Sequence, residues 1–394
     1  MTSALRWTVV AVLAGHGLIH LLGVVKVFGW AEVTQLKQPI SPGVGAVWLL
    51  ATTLVLATAV LIAAQAPTWW WLVAVIGAVA SEVAIATAWS DAKFGTAGNL
   101  ILLLAAVYGF ASLGPTSLHA QFRERGIEAM ADAHDASEAL VTEGDLADLP
   151  EPLAAYVRRS GAVGKPRVTN FSAHFHGRIR SGPDQAWMPF TGEQLNTYGP
   201  RPERVFIMDA TKSGLPVTVL HSFRDTTATM RAKVLSLITV VNASGPEMDR
   251  GETVTVFNDL VVLAPSAIVD APVRWTAVDA HHVRGVFTDG DQAVSAELTF
   301  DANNDLVNFV SGDRLRASTD GKSFARQVWS TPLAEHRDTN GRRVLVMGEG
   351  RWQAPQPEGL FTYVEFHVDD IAYNQHDVDG PLESPTAARA GVSP

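Results

Sequence analysis

Residues 7–25 read WTVVAVLAGHGLIHLLGVV, nineteen positions without a formal charge, with Arg6 before them and Lys26 after them. At about 1.5 Å of rise per helical residue the stretch nearly spans a hydrocarbon core of about 30 Å, so it reads as a transmembrane helix. A cleaved signal peptide is a poor alternative, because no small-x-small site follows the apolar run and three further apolar runs come after it. The second span is expected over roughly residues 43–66. Pro67 and Thr68 turn the chain, and Trp69, Trp70 and Trp71 form an interfacial aromatic cluster that opens a third span ending near Trp89. A fourth is expected over residues 96–113, closed by Gly114 and Pro115.

Four spans put the N-terminus and everything after residue 114 on the same side. The positive-inside rule then returns a tie, with Arg6, Arg123 and Arg125 on one face and Lys26, Lys37 and Lys93 on the other. A multi-pass protein of the cell membrane with a cytoplasmic N-terminus is the working expectation.

Composition changes sharply at residue 114. Up to that point the charges are Arg6, Lys26, Lys37 and Lys93 against Glu32, Glu82 and Asp91, so 26 of the 30 basic and 37 of the 40 acidic residues lie beyond it. A soluble part this acidic, without a run of Lys or Arg, gains nothing from counterion release, and nucleic acid is not an expected partner. The absence of cysteine excludes disulfides, thiolate metal sites and thiol nucleophiles, and leaves the redox compartment open.

Beyond the spans, residues 115–149 are polar and read as a helical or partly disordered linker, 150–373 as a β-rich soluble domain and 374–394 as a disordered tail. PEPLAAYVRRS at 150–160 has Leu153, Tyr156 and Val157 at helical spacing, with Gly161 placed to cap the C-terminus. In FSAHFHGRI the period becomes two: Phe171, Ala173, Phe175 and Ile179 share one face, and Ser172, His174, His176 and Arg178 the other. Strands are expected at 204–211, 216–224, 230–241, 274–278, 282–287 and 361–371, with hairpins turning on DANND at 301–305 and on Asn340-Gly341. Strand after strand with short turns argues an antiparallel, curved sheet, and the fold class is α+β with an N-terminal four-helix transmembrane bundle. One helix interrupts the strands at 249–264, where Val256, Phe257, Leu260 and Val261 fall on one face and Pro265 stops the pattern. Such a helix would plug the concave face, and these four residues are the candidate ligand-facing set.

The segments GHGLIHLLGVVKVFG, QPISPGVGAVW, SDAKFG, LPEPLAAYVRRSGAVGKPRV and GPEMDRGE resemble an uncharacterised bacterial membrane-protein family classed only as a domain of unknown function. The resemblance runs from about Gly15 to Ile371 and implies no activity. The C-terminal part is also similar in pattern to periplasmic lipoprotein carriers, in which a curved antiparallel sheet holds an apolar cavity closed by helices. Those carriers show leucine-rich helical sequence where this chain has GETVTVFNDLVVL.

Few residues point to chemistry. His174 and His176 lie two apart on one strand face, a spacing that supplies two ligands in some zinc sites, with His221, His281, His336 or His367 as a third. The plain alternation of an exposed strand face already explains both. DANND begins like a calcium loop, but Leu306 stands where Gly is needed and Gly312 where the bidentate Glu belongs. No nucleophile elbow, P-loop, dinucleotide fingerprint or HExxH motif occurs. Arg201, Arg204, Asp209, Glu247 and Asp249 receive no role. His16, His20 and Glu82 differ, since ionisable groups within a bilayer cost a few kcal/mol unless they face a partner. All three fall at one depth and are expected to form a cluster, with Glu82 within direct or one-water reach of a histidine.

Two function classes follow. In the first, a membrane-tethered domain binds a lipid-like or other apolar small molecule in the concave face of its sheet, with membrane lipids as partners. In the second, His16, His20 and Glu82 serve a membrane-embedded metal, redox or proton-relay enzyme. The sequence names neither a cofactor nor an oligomeric state.

Overall fold

The computed structural model describes residues 3–65, 67–132, 139–318 and 322–378. The chain divides into two compact units, the first made of residues 1–121 with the short segments 213–216 and 234–238, the second of the rest of residues 122–394.

The first unit holds α1 (Ser3–Val27), α2 (Pro42–Ala63), α3 (Trp70–Thr87), the short α4 (Trp89–Ala92) and α5 (Thr96–Leu113). It contains four helices long and apolar enough to cross a membrane. Apolar residues cover these helices on all sides: Leu13, Val55, Ala74 and Leu102 are buried between them, while Ile19, Val60, Val79 and Leu104 face outward. A helix apolar all round belongs in protein or lipid interior. Close packing of α1 on α2 depends on small residues, as at Gly23, where a Cβ would lie 2.3 Å from the Trp48 ring. Ser41 caps α2, its hydroxyl accepting from the Val44 amide at 3.4 Å, and Pro42 occupies the first helical turn. The loop before it is tied down by Lys26, whose ammonium donates to the carbonyls of Leu36 and Gln38, and by Asp91, which accepts from the amides of Lys37 and Gln38 at 2.6 and 3.0 Å.

The second unit is dominated by one antiparallel sheet of 14 strands that does not close. One meander comprises β1 (Asn170–Ile179), β2 (Met188–Thr197), β3 (Glu203–Lys212), β4 (Leu215–Arg224), β5 (Thr227–Val234) and β6 (Ile238–Ser244). The other uses β7 (Val273–Ala277), β8 (His282–Asp289), β9 (Gln292–Phe300), β10 (Leu306–Ser311), β13 (Val328–Ser330), β15 (Arg342–Gln353) and β16 (Leu360–Tyr373), with β14 (Leu333–Thr339) paired to β15. A small separate pair is made by β11 (Leu315–Ala317) and β12 (Phe324–Arg326). The meanders join where β1 pairs β16, which leaves β6 and β7 at the two free edges.

Those two edges are consecutive in the chain, so the connection between them must cross a face of the sheet. It is made by α8 (Pro246–Leu263), buried at every position from Gly251 to Leu263. Asp259 of α8 meets Gln194 and Arg204 of the first meander, and Phe257 packs on Phe287 and Phe309 of the second at ring separations of 5.4 and 5.3 Å. One helix thus touches both meanders of the sheet. Pro265 and a 3-10 turn (Pro265–Asp270) end the crossing. The short α7 (Glu151–Arg159) joins the same core through Leu153 and Val157, and Gly161 follows it at φ +72°, the left-handed cap its sequence implies.

Three sequence expectations change. The strand read at 230–241 is a hairpin, β5 and β6, whose turn is carried by Leu235 and Ser236 at φ 54° and 58° without the Gly or Asn that signals such turns. β2 escaped notice because Pro189 and Gly192 interrupt its alternation. The stretch read as a helical or partly disordered linker is helical over α6 (Leu118–Asp132), as expected, but it is more than a linker, for it also forms an isolated bridge from Val141 to Val163 and a 3-10 turn (Glu143–Leu146). Within the second unit, Ala129 and Met130 of α6 pack on Leu195, Arg125 donates to Ser222, and Arg224 pairs with Glu128 at 2.8 Å. The remaining linker positions 133–138, and positions 379–394 of the expected tail, lie outside the described residues.

A fragment of residues 122–378 is therefore expected to fold cooperatively by itself, whereas one starting at residue 150 uncovers Leu195 and loses about 2 kcal/mol or more, the burial of one large aliphatic side chain. Urea denaturation of the two fragments side by side measures this; equal midpoints would show that residues 122–149 contribute nothing to the unit.

Candidate functional site

A cavity of about 280 Å³ lies between α8 and the sheet. Alternation fixes its wall: Arg204, Phe206 and Met208 share one face of β3, Phe190 and Gln194 the matching face of β2, and Val219 and His221 that of β4. Phe175 and Ile179 of β1, Met230 of β5 and Val364 and Phe366 of β16 continue the apolar lining. The helix contributes Thr255, Asn258, Asp259, Val262 and Leu263. Phe206, Val219, Met230, Val364 and Phe366 are only partly buried and form the rim.

One end of the cavity is ionised. Arg204, 6% exposed, donates from Nε to Asp259 at 2.8 Å, from Nη1 to Glu252 at 2.7 Å and from Nη2 to the Gln194 carbonyl oxygen at 3.1 Å. The same Asp259 oxygen also accepts from Gln194 at 2.7 Å and from Asn196 at 3.2 Å. Glu252 and Asp259 are seven residues apart on α8 and so share a face, which one guanidinium can bridge. Burial acts to lower the Arg204 pKa, but the two carboxylates more than offset it and hold the group above its usual range. Burial acts to raise Glu252, yet His221, Arg204 and Arg314 bring its pKa below the usual range. At Asp259 burial prevails over Arg204 and the pKa moves up. With three donors on one oxygen we take this carboxyl as ionised at neutral pH.

His221 completes the polar end. Its Nδ1 lies 3.3 Å from Glu252 Oε1, which can only accept, and 3.5 Å from Arg204 Nη1, which can only donate, so the two neighbours call for opposite tautomers. Its Nε2 is buried and has no hydrogen-bond partner among the described residues. Burial pushes the imidazole down to about 4, opposed by Glu252 and assisted by Arg204 and Arg314, so the ring is neutral. Arg314, stacked 4.4 Å from the Trp329 ring, donates to Thr255. Two arginines thus face two carboxylates and a neutral histidine, and the polar end carries no excess charge.

The candidate ligand-facing set falls elsewhere. Val256 and Leu260 line a separate space of about 100 Å³ with Val168, Tyr198 and Phe287. Phe257 is enclosed by Trp275, Phe287 and Phe309, and Val261 is fully buried, its carbonyl accepting from Tyr156 at 2.7 Å. The cavity instead meets the polar face of α8. His174 and His176 pair with Asp370 and Asp369 at 3.0 and 2.6 Å, and His176 stacks on His367 at 4.8 Å. Among the described residues no group of three or more His, Asp or Glu is arranged to hold a metal ion. Of the residues given no role, Arg204 is central to the cavity. Asp209 accepts from Thr218, Asp249 caps the Ala228 amide, Arg201 lies 3.7 Å from Asp225, and Glu247 is exposed. The signal that would have found the site is the pair Glu252 and Asp259, two carboxylates at heptad spacing in a segment otherwise apolar enough to be buried.

In the first unit His16 and His20 are buried, and Ser81 and Asn99, which sequence reasoning passed over, join them. His20 Nε2 lies 2.6 Å from Ser81 Oγ, Ser81 Oγ donates to Asn99 Oδ1 at 2.5 Å, and His16 Nε2 lies 2.8 Å from the same Asn99 oxygen. Asn99 Nδ2 donates to Glu82 at 2.7 Å, and Thr96 donates to the other Glu82 oxygen at 3.0 Å. The link from Glu82 to His16 is thus the Asn99 amide.

A family model of unknown function, DUF6544, matches residues 139–366, more than half of the chain. The chain belongs to the DUF6544 family. This is the expected kind of family, defined without an activity. No curated protein matches. Among solved structures, the chain is similar to a domain from Vibrio parahaemolyticus assigned by name to outer membrane lipoprotein sorting, at 11% identity and a TM-score of 0.30, covering 52% of this chain and 86% of that one. It is also similar to a DUF1329 family protein from Desulfovibrio piger, at 9% identity and a TM-score of 0.32, covering 57% and 92%.

Because His221 is neutral in the folded protein with a pKa near 4, the unfolded chain binds a proton that the folded one does not between about pH 6.5 and pH 4, and stability falls as pH drops through that window. At roughly 1.4 kcal/mol per unit the loss approaches about 3 kcal/mol. His221→Gln removes this contribution. Chemical denaturation at pH 7 and pH 4.5 is expected to show a smaller acid loss in the variant; equal losses would mean that His221 is protonated in the fold.

Proposed function

We propose that this protein is anchored in a membrane by its N-terminal helices and that its β unit binds a lipid-like ligand, an uncharged amphiphile with one apolar chain. The observation that carries the reading is the division of the cavity between α8 and the sheet: aromatic and methionine side chains along its length, and at one end a set of fixed donors and acceptors without net charge. Ligand sites of this kind run to roughly 300–1,000 Å³, with mostly apolar walls and a few placed polar groups that set orientation. At about 280 Å³ the cavity stands at the small end, which suits one chain and its polar group rather than a two-chain lipid. An ionised head would leave one charge unbalanced in a buried place, a costly arrangement, whereas a hydroxyl, which both donates and accepts, pairs with His221 Nε2 in either tautomer without disturbing the ion pairs.

The test compares a pyrene-labelled monoacylglycerol with a pyrene-labelled fatty acid on the full chain in detergent, using energy transfer from the protein's tryptophans. Saturable binding of the monoacylglycerol, at least tenfold tighter than that of the fatty acid, is expected. Val219→Trp, which places a larger ring at the rim, is expected to abolish it. No saturable transfer from either probe, or transfer unaffected by Val219→Trp, would remove the cavity as the ligand site.

A further inference from the structure

The helical unit holds a second cavity, of about 570 Å³, bordered by α1, the loop before α2, and the α4–α5 region. Its mouth is formed by Gly15, Ile19, Phe94 and Ile101, all exposed on the outer surface of the helices. Inside lie His16, His20 and Trp48, the His20 ring 4.8 Å from His16 and 5.4 Å from Trp48. His20 is 2% exposed, and its Nδ1 is buried with no hydrogen-bond partner among the described residues. His20 lies six positions before Lys26, which puts it about 9 Å along the helix from that charge.

The hydrogen-bond chain fixes what this nitrogen offers. Glu82, as a carboxylate, only accepts, so the Asn99 amide nitrogen faces it and the Asn99 oxygen faces the other way. That oxygen takes hydrogens from Ser81 and from His16 Nε2. Ser81, having donated its only hydrogen, must accept from His20, so the His20 proton sits on Nε2. Nδ1 of the neutral ring is then a bare lone pair facing a mostly apolar lining to which Gln35 and Asp91 also contribute, and a buried acceptor left without a donor is destabilising. The assembly is built tightly around the histidines: a Cβ at Gly98 would lie 2.4 Å from His16 Nδ1, so only glycine at that place on α5 admits the ring.

We infer that this cavity is a binding site for a membrane-soluble molecule that carries a hydroxyl group, the hydroxyl donating to His20 Nδ1 and the apolar remainder leaving through the mouth at Gly15 and Ile101 into the lipid. The inference rests on the reading that these helices lie in a membrane. Two classes of molecule share the chemistry, aliphatic alcohols of the isoprenoid kind and alkylated hydroquinones. A quinone, which has only acceptors, does not satisfy the site.

The experiment uses the full chain, with 15N-labelled histidine, reconstituted in phosphatidylcholine nanodiscs. Failure of the protein to enter the discs would contradict the membrane reading before any probe is added. The probes are farnesol, a decyl-substituted hydroquinone and the corresponding decyl quinone, and the readout is the His20 Nδ1 resonance. Saturable movement of that resonance with farnesol or with the hydroquinone, and not with the quinone, is expected; the probe that acts identifies the class. His20→Phe, which removes that reporter and is followed instead at the neighbouring His16 resonances, should weaken binding at least tenfold. Gly15→Leu is the second variant, because a Cβ at Gly15 meets nothing within 4 Å and the added side chain fills the cavity while leaving the histidine network in place; it should abolish the response to every probe. No saturable shift with either hydroxyl probe, an equal shift with the quinone, or binding that survives Gly15→Leu would overturn the inference.

Discussion

The second unit depends on a helix that has nowhere to reach solvent. Since β6 and β7 are opposite edges of one open sheet and neighbours in sequence, α8 must traverse the interior, and it does so with Glu252 and Asp259 in the middle of its length. Two carboxylates without a cation there would each cost several kcal/mol. Arg204, projecting from β3, reaches both with separate nitrogens, and Gln194 and Asn196 of β2 donate to the same Asp259 oxygen as Arg204. The ion cluster therefore sets how α8 rotates within the sheet: its apolar face, with Phe257 and Val261, turns to the second meander and α7, and its polar face turns to β2, β3 and β4.

That rotation decides where space remains. Large apolar residues fill most of the first side, leaving only the small space beside Val256 and Leu260. On the other, the guanidinium and carboxylates hold helix and sheet apart at a fixed distance, and the aromatic residues of β1 to β3 line the gap without closing it. The helical unit uses the same device on a smaller scale. Glu82, Asn99, Ser81 and two histidines satisfy one another across α1, α3 and α5, and a cavity adjoins the place where the chain of donors ends. In both units a buried polar network that is complete except for one imidazole nitrogen borders an apolar space.

Much of this architecture was legible in the sequence because periodicity and polarity act locally. The uncharged run after Arg6, the two-residue alternation of FSAHFHGRI and the stop at Pro265 each report on a few neighbouring residues, and the elements they implied are present. What was not legible depends on partners distant in sequence. Nothing near Arg204 announces that it meets residues 48 and 55 positions further on, so it was given no role. The apolar stripe Val256, Phe257, Leu260 and Val261 was correctly read as a helical face, but an apolar face seeks the tightest packing and so left the cavity to the polar one. Ser81 and Asn99 are short polar side chains whose importance appears only when α3 and α5 are placed beside α1. The turn at Leu235 and Ser236 lacks turn residues, and neighbouring strands rather than local preference hold it.

The most direct measurement of this account is the stability of the second unit with Arg204→Met, alone and combined with Glu252→Gln and Asp259→Asn, by urea denaturation at pH 7. The account predicts that the single variant loses about 3–5 kcal/mol, the cost of stranding a buried charge, and that the triple variant regains most of it by removing the stranded charges. A single variant within about 1 kcal/mol of the parent, or a triple variant no more stable than the single one, would contradict the claim that the Arg204 cluster holds α8 in the sheet.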